Sequence, residues 1–307
     1  MPAAAISVDG LTKRFGDRVA VDRLTLDIPR GVVAGFIGPN GAGKTTTMAM
    51  LLGLVAPTAG TGAVLGRPLS DPSGYLGRVG ALVEGPALWP GLTGVENLRV
   101  LAELGGHDAA RIPDVLDTVR LGARGGDRFG SYSFGMKQRL GIAAALLGDP
   151  ALLVLDEPAN GLDPAGIVEM RGLIAEVGSG DRTVFVSSHI LGELEQVCDW
   201  LVVIDRGSLV YDGPTDGFLA QAAPTVTAMP EHAAELDRLA AIVRAQGLEA
   251  DRDADELLVS ADGRDPRAVA VELNRAAIAN GIVLAELHLR RPDLESHYLA
   301  VLQGAEP

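Results

Sequence analysis

Over the first two thirds of the chain, short continuous apolar runs alternate with longer stretches of helical spacing. Val32 to Ile37 is a β-branched, apolar run that passes into a Gly-rich turn, and Lys44 to Leu54 then carries a helical pattern. Ala151 to Leu155 is apolar at every position, as in a strand buried on both faces of a parallel sheet. Thr183 to Ser187 and Leu201 to Ile204 repeat that pattern, with helical stretches from Pro164 and from Ile190 between them. Alternation of this kind predicts an α/β sheet with helices on both faces. The earliest segments, Ile6 to Arg14 and Val19 to Ile28, alternate more strictly and contain turn residues. They predict a small antiparallel sheet laid against the core.

The pattern changes after a composition break at about Gly213 to Pro230, which holds Pro214, Pro224 and Pro230. Helical spacing over Ala233 to Ala245 leads to the apolar Leu257-Leu258-Val259, then to a helical stretch from Pro266 to Asn280 and the run Ile282 to Leu289. This predicts a first domain over residues 1–215, a linker over 216–230 and a small α+β domain over 231–307 with an α-β-α-β order. No internal repeat or low-complexity tract is visible.

Composition narrows the classes. Of 307 residues 47% are hydrophobic and 21% charged, enough aliphatic material for a substantial core. The net charge is −14, and the 16 acidic and 8 basic side chains from Asp216 onward carry more than half of it. A field of that sign repels polyanions, so no nucleic-acid partner is expected. The single cysteine, Cys198, makes neither an internal disulfide nor a zinc cluster on its own. The N-terminal residues have no basic stretch followed by an apolar one, and no run of about 18 apolar residues occurs, so the expectation is a cytoplasmic chain without a membrane span. Lysine stands only at Lys13, Lys44 and Lys137.

The candidate chemistry begins at Gly38-Pro39-Asn40-Gly41-Ala42-Gly43-Lys44-Thr45, with Thr46 following, between an expected strand and an expected helix. This is the G-x-x-x-x-G-K-[ST] pattern, whose glycines let backbone N–H groups close around phosphate oxygens at a helix N-terminus. Lys44 would reach the β- and γ-phosphates, and the Thr45 hydroxyl would ligate Mg²⁺. The competing reading, a chance glycine turn, does not require the flanking strand and helix. Far downstream, Asp156 and Glu157 follow the apolar strand that ends at Leu155. Ligands of open α/β sheets collect at the carboxyl ends of strands, so both carboxylates should arrive beside the phosphate loop. One can hold a Mg²⁺ shell and the other can accept a proton from an attacking water. His189 follows the strand Thr183 to Ser187 and should line the same crevice. His107, His232, His288 and His297 keep an ordinary surface or core reading.

In this order the motifs resemble the nucleotide-binding subunit of an ABC transporter, from about Ile6 to Gly213. The resemblance implies a phosphate-loop core with an antiparallel β subdomain and a helical subdomain at about 85–150, and it implies ATP and Mg²⁺ as ligands. Phe15, in Thr12-Lys13-Arg14-Phe15-Gly16, falls where the family stacks a ring on adenine. Tyr132-Ser133-Phe134-Gly135-Met136-Lys137-Gln138-Arg139 takes the place of the signature motif, so Ser133 and Gly135 would cap the γ-phosphate held by the opposite subunit. Asp156 matches the Mg²⁺ carboxylate, Glu157 the catalytic base and His189 the γ-phosphate sensor. Asn160-Gly161-Leu162-Asp163 matches the loop between subunits. By their residue types alone, Phe15 would be core packing, and Tyr132 and Phe134 packing at a helix start.

Two positions depart from the family. Glu84 stands where a glutamine is usual in the loop that senses Mg²⁺ and the membrane partner; it loses the amide donors and adds a charge. Phe134 and Met136 replace glycine and glutamine of the signature. The glutamate and this signature are similar to the ATPases of bacterial lantibiotic and bacitracin exporters, and Pro292 to Leu299 resembles the C-terminal extension of drug-exporter ATPases. Export of a drug, antibiotic or peptide is therefore implied, by two such ATPases, identical or paralogous, closing on two ATPs at the cytoplasmic face of a membrane. A separate permease would be contacted through the apolar loop residues Pro86, Leu88, Trp89, Pro90 and Leu92, although Trp89 and Leu92 suit inward packing equally. An importer or lipid-processing system, or an ABC-type ATPase acting on DNA or the ribosome, is the alternative. The last usually carries two such domains, coiled coils or zinc modules, none of which is seen here.

Overall fold

In the computed structural model, residues 4–189, 196–220, 224–261, 263–290 and 297–298 are described. The chain forms two compact units, Met1–Thr215 and Asp216–Pro307.

The first unit opens with a long antiparallel hairpin of β1 (Ala4–Phe15) and β2 (Arg18–Pro29). With β3 (Val33–Ile37) following, the hairpin is extended by β4 (Ala59–Val64) and β5 (Arg67–Pro68) into a four-stranded sheet of order β2-β1-β4-β5. Period-two burial of Leu24, Leu26 and Ile28, with Thr25 and Asp27 exposed, is the reason one face seals the core.

The second sheet is six-stranded. It adds β6 (Val79–Leu82), β7 (Leu152–Leu155), β8 (Thr183–Ser188), β9 (Trp200–Asp205) and β10 (Ser208–Pro214) to β3, in the order β10-β9-β3-β8-β7-β6. All neighbours are parallel except β10, which pairs antiparallel to β9. Every residue of β3, β7 and β8 is buried; β3 and β7 contain no polar side chain, and β8 adds the hydroxyls of Thr183, Ser187 and Ser188 at its ends. Phe36 and Phe185 stack between adjacent strands with centroids 5.0 Å apart.

The described helices of this unit are α1 (Lys44–Leu51), α2 (Ser73–Leu76), α3 (Gly94–Gly105), α4 (Ile112–Thr118), α5 (Phe134–Leu146) and α6 (Pro164–Val177); α7 (Thr215–Leu219) starts at the unit's last residue and belongs mostly to the second unit. Three starts are fixed by side chains: Thr93 and Glu96 form a capping box on α3, Ser133 caps α5, and Asp163 caps α6 ahead of Pro164. Helix α1 stops three residues before the expected Leu54, where Gly53 turns the backbone to a φ of +68°. The helix expected from Ile190 lies on residues outside the described set.

The second unit corrects the sequence reading. Instead of an α-β-α-β order after a linker, it runs β11 (Thr225–Pro230), α8 (Leu236–Ala245), β12 (Ala250–Asp253), β13 (Glu256–Ser260), α9 (Pro266–Ala279) and β14 (Leu284–Arg290). The sheet order β12-β13-β11-β14 makes this a split βαβ arrangement. Strand β11 falls within the expected linker 216–230, yet it pairs with β13 on one side and β14 on the other. Its prolines stand before the strand and at its last residue, where the lost N–H does not break the ladder. Val226 and Ala228 face a core of Leu236, Leu239, Val243, Leu257, Val259 and Leu273.

Candidate functional site

The site is built at the carboxyl ends of β3, β7 and β8. Backbone 38–43 leaves β3 and wraps into α1, and two of its glycines are required by close approach. A Cβ on Gly38 would meet the Ile204 carbonyl at 2.5 Å, and one on Gly43, whose φ is +105°, would meet the Ala20 carbonyl at 2.5 Å. Ala42 is buried and donates its N–H to the Pro39 carbonyl at 3.1 Å.

Lys44, the first residue of α1, is only 6% exposed. A buried ammonium needs partners, and it has three: the Gly38 carbonyl at 2.6 Å, the Pro39 carbonyl at 3.3 Å and Glu157 Oε1 at 3.2 Å. Thr45 Oγ1 donates to Asp156 Oδ2 at 2.8 Å, and Ser187 Oγ donates to Asp156 Oδ1 at 2.6 Å. Asp156 therefore lies buried with both oxygens engaged. The Glu157 N–H donates to Ser187 Oγ at 2.9 Å, and the backbone of Glu157 turns at a φ of +49°. The second oxygen of Glu157 lies 2.5 Å from Nδ1 of His189. Ser187 thus aligns both carboxylates, and its signal in the sequence is a hydroxyl near the end of a buried strand.

A cleft of about 420 Å³ opens over this constellation. Phe15, Asn40, Gly41, Gly43, Lys44, Thr45, Thr46 and Glu157 line it, joined by Asn160 and by Arg18 and Ala20 from the start of β2. Phe15 is 52% exposed, so it is not core packing, and Lys13 Nζ stands 4.9 Å from its ring centroid. Ser133, Gly135 and Asp163 are not part of this cleft. They line a second one of about 360 Å³ with Phe134, Arg139, Gly161 and Leu162. The loop from Glu157 to Asp163 thus borders both clefts. Tyr132 is buried and donates its hydroxyl to the Arg124 carbonyl at 2.7 Å, which makes it packing at the start of α5. Phe134 is half exposed, with its ring edge where a Cβ on Gly161 would lie 3.3 Å away.

Glu84 follows β6, beside β7, at a φ of +58°; it is exposed and lies outside the lining of the first cleft. In the adjacent loop Trp89 is 44% exposed and Leu92 partly buried, with the backbone of both held by the fully buried Asn97.

A parallel sheet that delivers a glycine loop, a buried lysine and two carboxylates to one end defines the class: a phosphate-loop α/β ATPase. The family model of the ABC transporter domain matches residues 21–160. The bacitracin transport ATP-binding protein BcrA of Bacillus licheniformis is 45% identical over 214 residues, covering 69% of this chain and 70% of that protein. The lantibiotic transport ATP-binding protein SrtF of Streptococcus pyogenes is 39% identical over 212 residues, covering 69% of this chain and 92% of that one. A solved ATP-binding subunit of an ABC transporter is 32% identical and superposes with a TM-score of 0.63 over 71% of this chain and 92% of its own. The chain belongs to the ATP-binding subunits of ABC transporters. As such it is an ATP hydrolase that serves a transmembrane permease. No described helix is long and apolar enough to cross a membrane.

Proposed function

We propose that this subunit powers export of an antibiotic, drug or peptide through a separate permease, from the cytoplasmic face of the cell membrane. Its kinship with proteins of bacitracin and lantibiotic transport is the observation that carries the export reading.

For hydrolysis, the residues at the first cleft divide the work. The loop N–H groups over 38–43 and the Lys44 ammonium receive the phosphates, and Phe15 offers its exposed ring to the base. Glu157 accepts a proton from the attacking water, with His189 holding its second oxygen and Ser187 fixing its backbone. On arrival of the phosphates, Lys44 exchanges its pairing with Glu157 for phosphate oxygens and frees the carboxylate.

The donors suit a hard divalent cation: a hydroxyl and a buried carboxylate oxygen, Thr45 Oγ1 and Asp156 Oδ2, already face one another. Among the described residues no group of three or more His, Cys, Asp or Glu could hold a metal alone, which suits an ion completed by phosphates and water. Bound Mg²⁺ would neutralise developing phosphate charge. Glu84 stands one strand away, at the end of β6, where its charge tunes that requirement.

Because Ser133, Gly135 and Asp163 line a different cleft from Lys44, a second chain, identical or paralogous, supplies them in a head-to-tail dimer closed by two ATPs. ATP that touches both chains only when closed favours closure by that differential affinity, and hydrolysis releases it. Trp89 and its apolar loop offer the surface for the permease.

The test is to solubilise membranes from cells expressing tagged Glu157→Gln protein, with ATP present, and identify what co-purifies. A polytopic membrane protein is expected. Ribosomes or DNA-bound factors without one would overturn the transport reading.

A further inference from the structure

The turn that ends β1 and begins β2 places a second cation at the nucleotide cleft. Phe15 and Arg18 are directly opposed across the two-residue turn Gly16-Asp17 and close the hairpin. Residues opposed in an antiparallel pair point to the same face, so the Phe15 ring and the Arg18 side chain are presented together. Both line the first cleft. The guanidinium reaches the phosphate loop, because a Cβ on Gly41 would stand 3.8 Å from Arg18 Nη2.

The other cations near the cleft are already engaged. Lys44 pairs with Glu157 and donates to two carbonyls, so its charge is offset within the site. Lys13 donates to the Ala56 carbonyl at 2.7 Å and lies against the Phe15 ring. Arg18 is exposed and, among the described residues, has no hydrogen-bond or ion-pair partner. A planar guanidinium presents paired N–H donors that match two oxygens of one phosphate and keeps its charge at any working pH. Among the described residues no partner engages that charge at the hairpin tip, and a polyanion in this cleft would.

We propose that Arg18 is a phosphate-binding residue of this cleft, engaging the phosphate chain of a nucleoside diphosphate or triphosphate whose base lies on Phe15. The proposal rests on the nucleotide reading above. It adds a residue outside the glycine-lysine loop and assigns a joint role to the hairpin tip, the ring for the base and the guanidinium for the phosphates.

The experiment is calorimetric titration of the full chain with ADP in magnesium buffer, for the native protein and for Arg18→Ala, Arg18→Gln and Arg18→Lys. Arg18→Ala and Arg18→Gln should each weaken ADP binding about tenfold at roughly 50 mM salt, and Arg18→Lys, which keeps the charge without the paired donors, should recover part of the loss. At about 500 mM salt the deficit should shrink to roughly two- or threefold, because a partly exposed charge contact is screened. Equal affinity of native protein and Arg18→Ala overturns the assignment. So does a loss that salt leaves unchanged and lysine does not rescue, since shape and not charge would then be at stake. A native chain that binds no ADP overturns the nucleotide reading itself, an outcome distinct from either.

Discussion

Lys44 and Glu157 form an ion pair of 3.2 Å in which the ammonium is almost wholly buried and the carboxylate largely so. On the proposed reading, the phosphate-binding cation and the proton-accepting carboxylate are each other's partner until phosphate intervenes. Glu157→Gln keeps the shape but removes the basic oxygen. ATP turnover of the complex with its permease should fall about 10²- to 10⁴-fold while ATP still binds, as read from phosphate release and from titration of the same preparation. Retention of native turnover would show that another group takes the proton.

If Mg²⁺ sits between Thr45 and Asp156 as proposed, Glu84 offers a separate handle on it. It stands just past β6, and the Asp156 N–H donates to the carbonyl of Leu82 in that strand at 2.8 Å. A carboxylate one strand from Asp156 raises the negative charge that Mg²⁺ must offset. Removing that charge weakens the local attraction for a cation, so Glu84→Gln should raise the Mg²⁺ concentration that half-saturates ATP hydrolysis. An unchanged magnesium titration would remove Glu84 from the metal's surroundings.

Stability should carry a pH signature from Asp212. Burial pushes its carboxyl above the ordinary value of 3.8, working against hydrogen bonds from the Asp27 N–H and from Trp200 Nε1. Between 3.8 and the raised value the unfolded chain has released this proton while the folded chain still holds it. Rising pH across that window therefore removes stability. Asp212→Asn stays neutral throughout, so urea unfolding at about pH 4 and pH 7 should show the variant gaining on the native protein as pH rises. A difference that does not move with pH would mean that the carboxyl is ionised as easily in the fold as outside it.

Cys198, the one cysteine of the sequence, is buried, and burial pushes its thiol well above the ordinary range, with Asp199 adding to the effect. The reactive species is the thiolate, so a disulfide reagent at about pH 8 should modify the native chain on the order of 100-fold more slowly than the urea-unfolded chain. Equal rates would place the sulfur at the surface.

Much of the first unit was legible because each signal is local. The apolar β3, the glycine loop and Lys44 are consecutive, and Asp156-Glu157 directly ends the apolar β7. What escaped depends on partners distant in sequence. Ser187 matters because β8 lies beside β7, which brings its hydroxyl to Asp156 across 31 positions. Arg18 becomes part of the cleft only through the hairpin register that sets it opposite Phe15. Strand β11 was hidden by composition, since Thr-Val-Thr-Ala-Met between prolines has the look of a connector. Its strand character comes from the neighbours on both sides, β13 and β14. Polar β12 (Ala-Asp-Arg-Asp) is likewise a strand only because it folds back on β13.

Strand β3 pairs on one side with β8 and on the other with β9. The residues that end in the phosphate loop are thus made well before their lateral supports, which come only with residues 183–205. During synthesis the apolar β3 and its loop wait through most of the first unit for neighbours, and β8, once made, bridges β3 to β7 and its carboxylates. The walls of the cleft are therefore complete only once β8 and β9 lie beside β3, a segment made long before them.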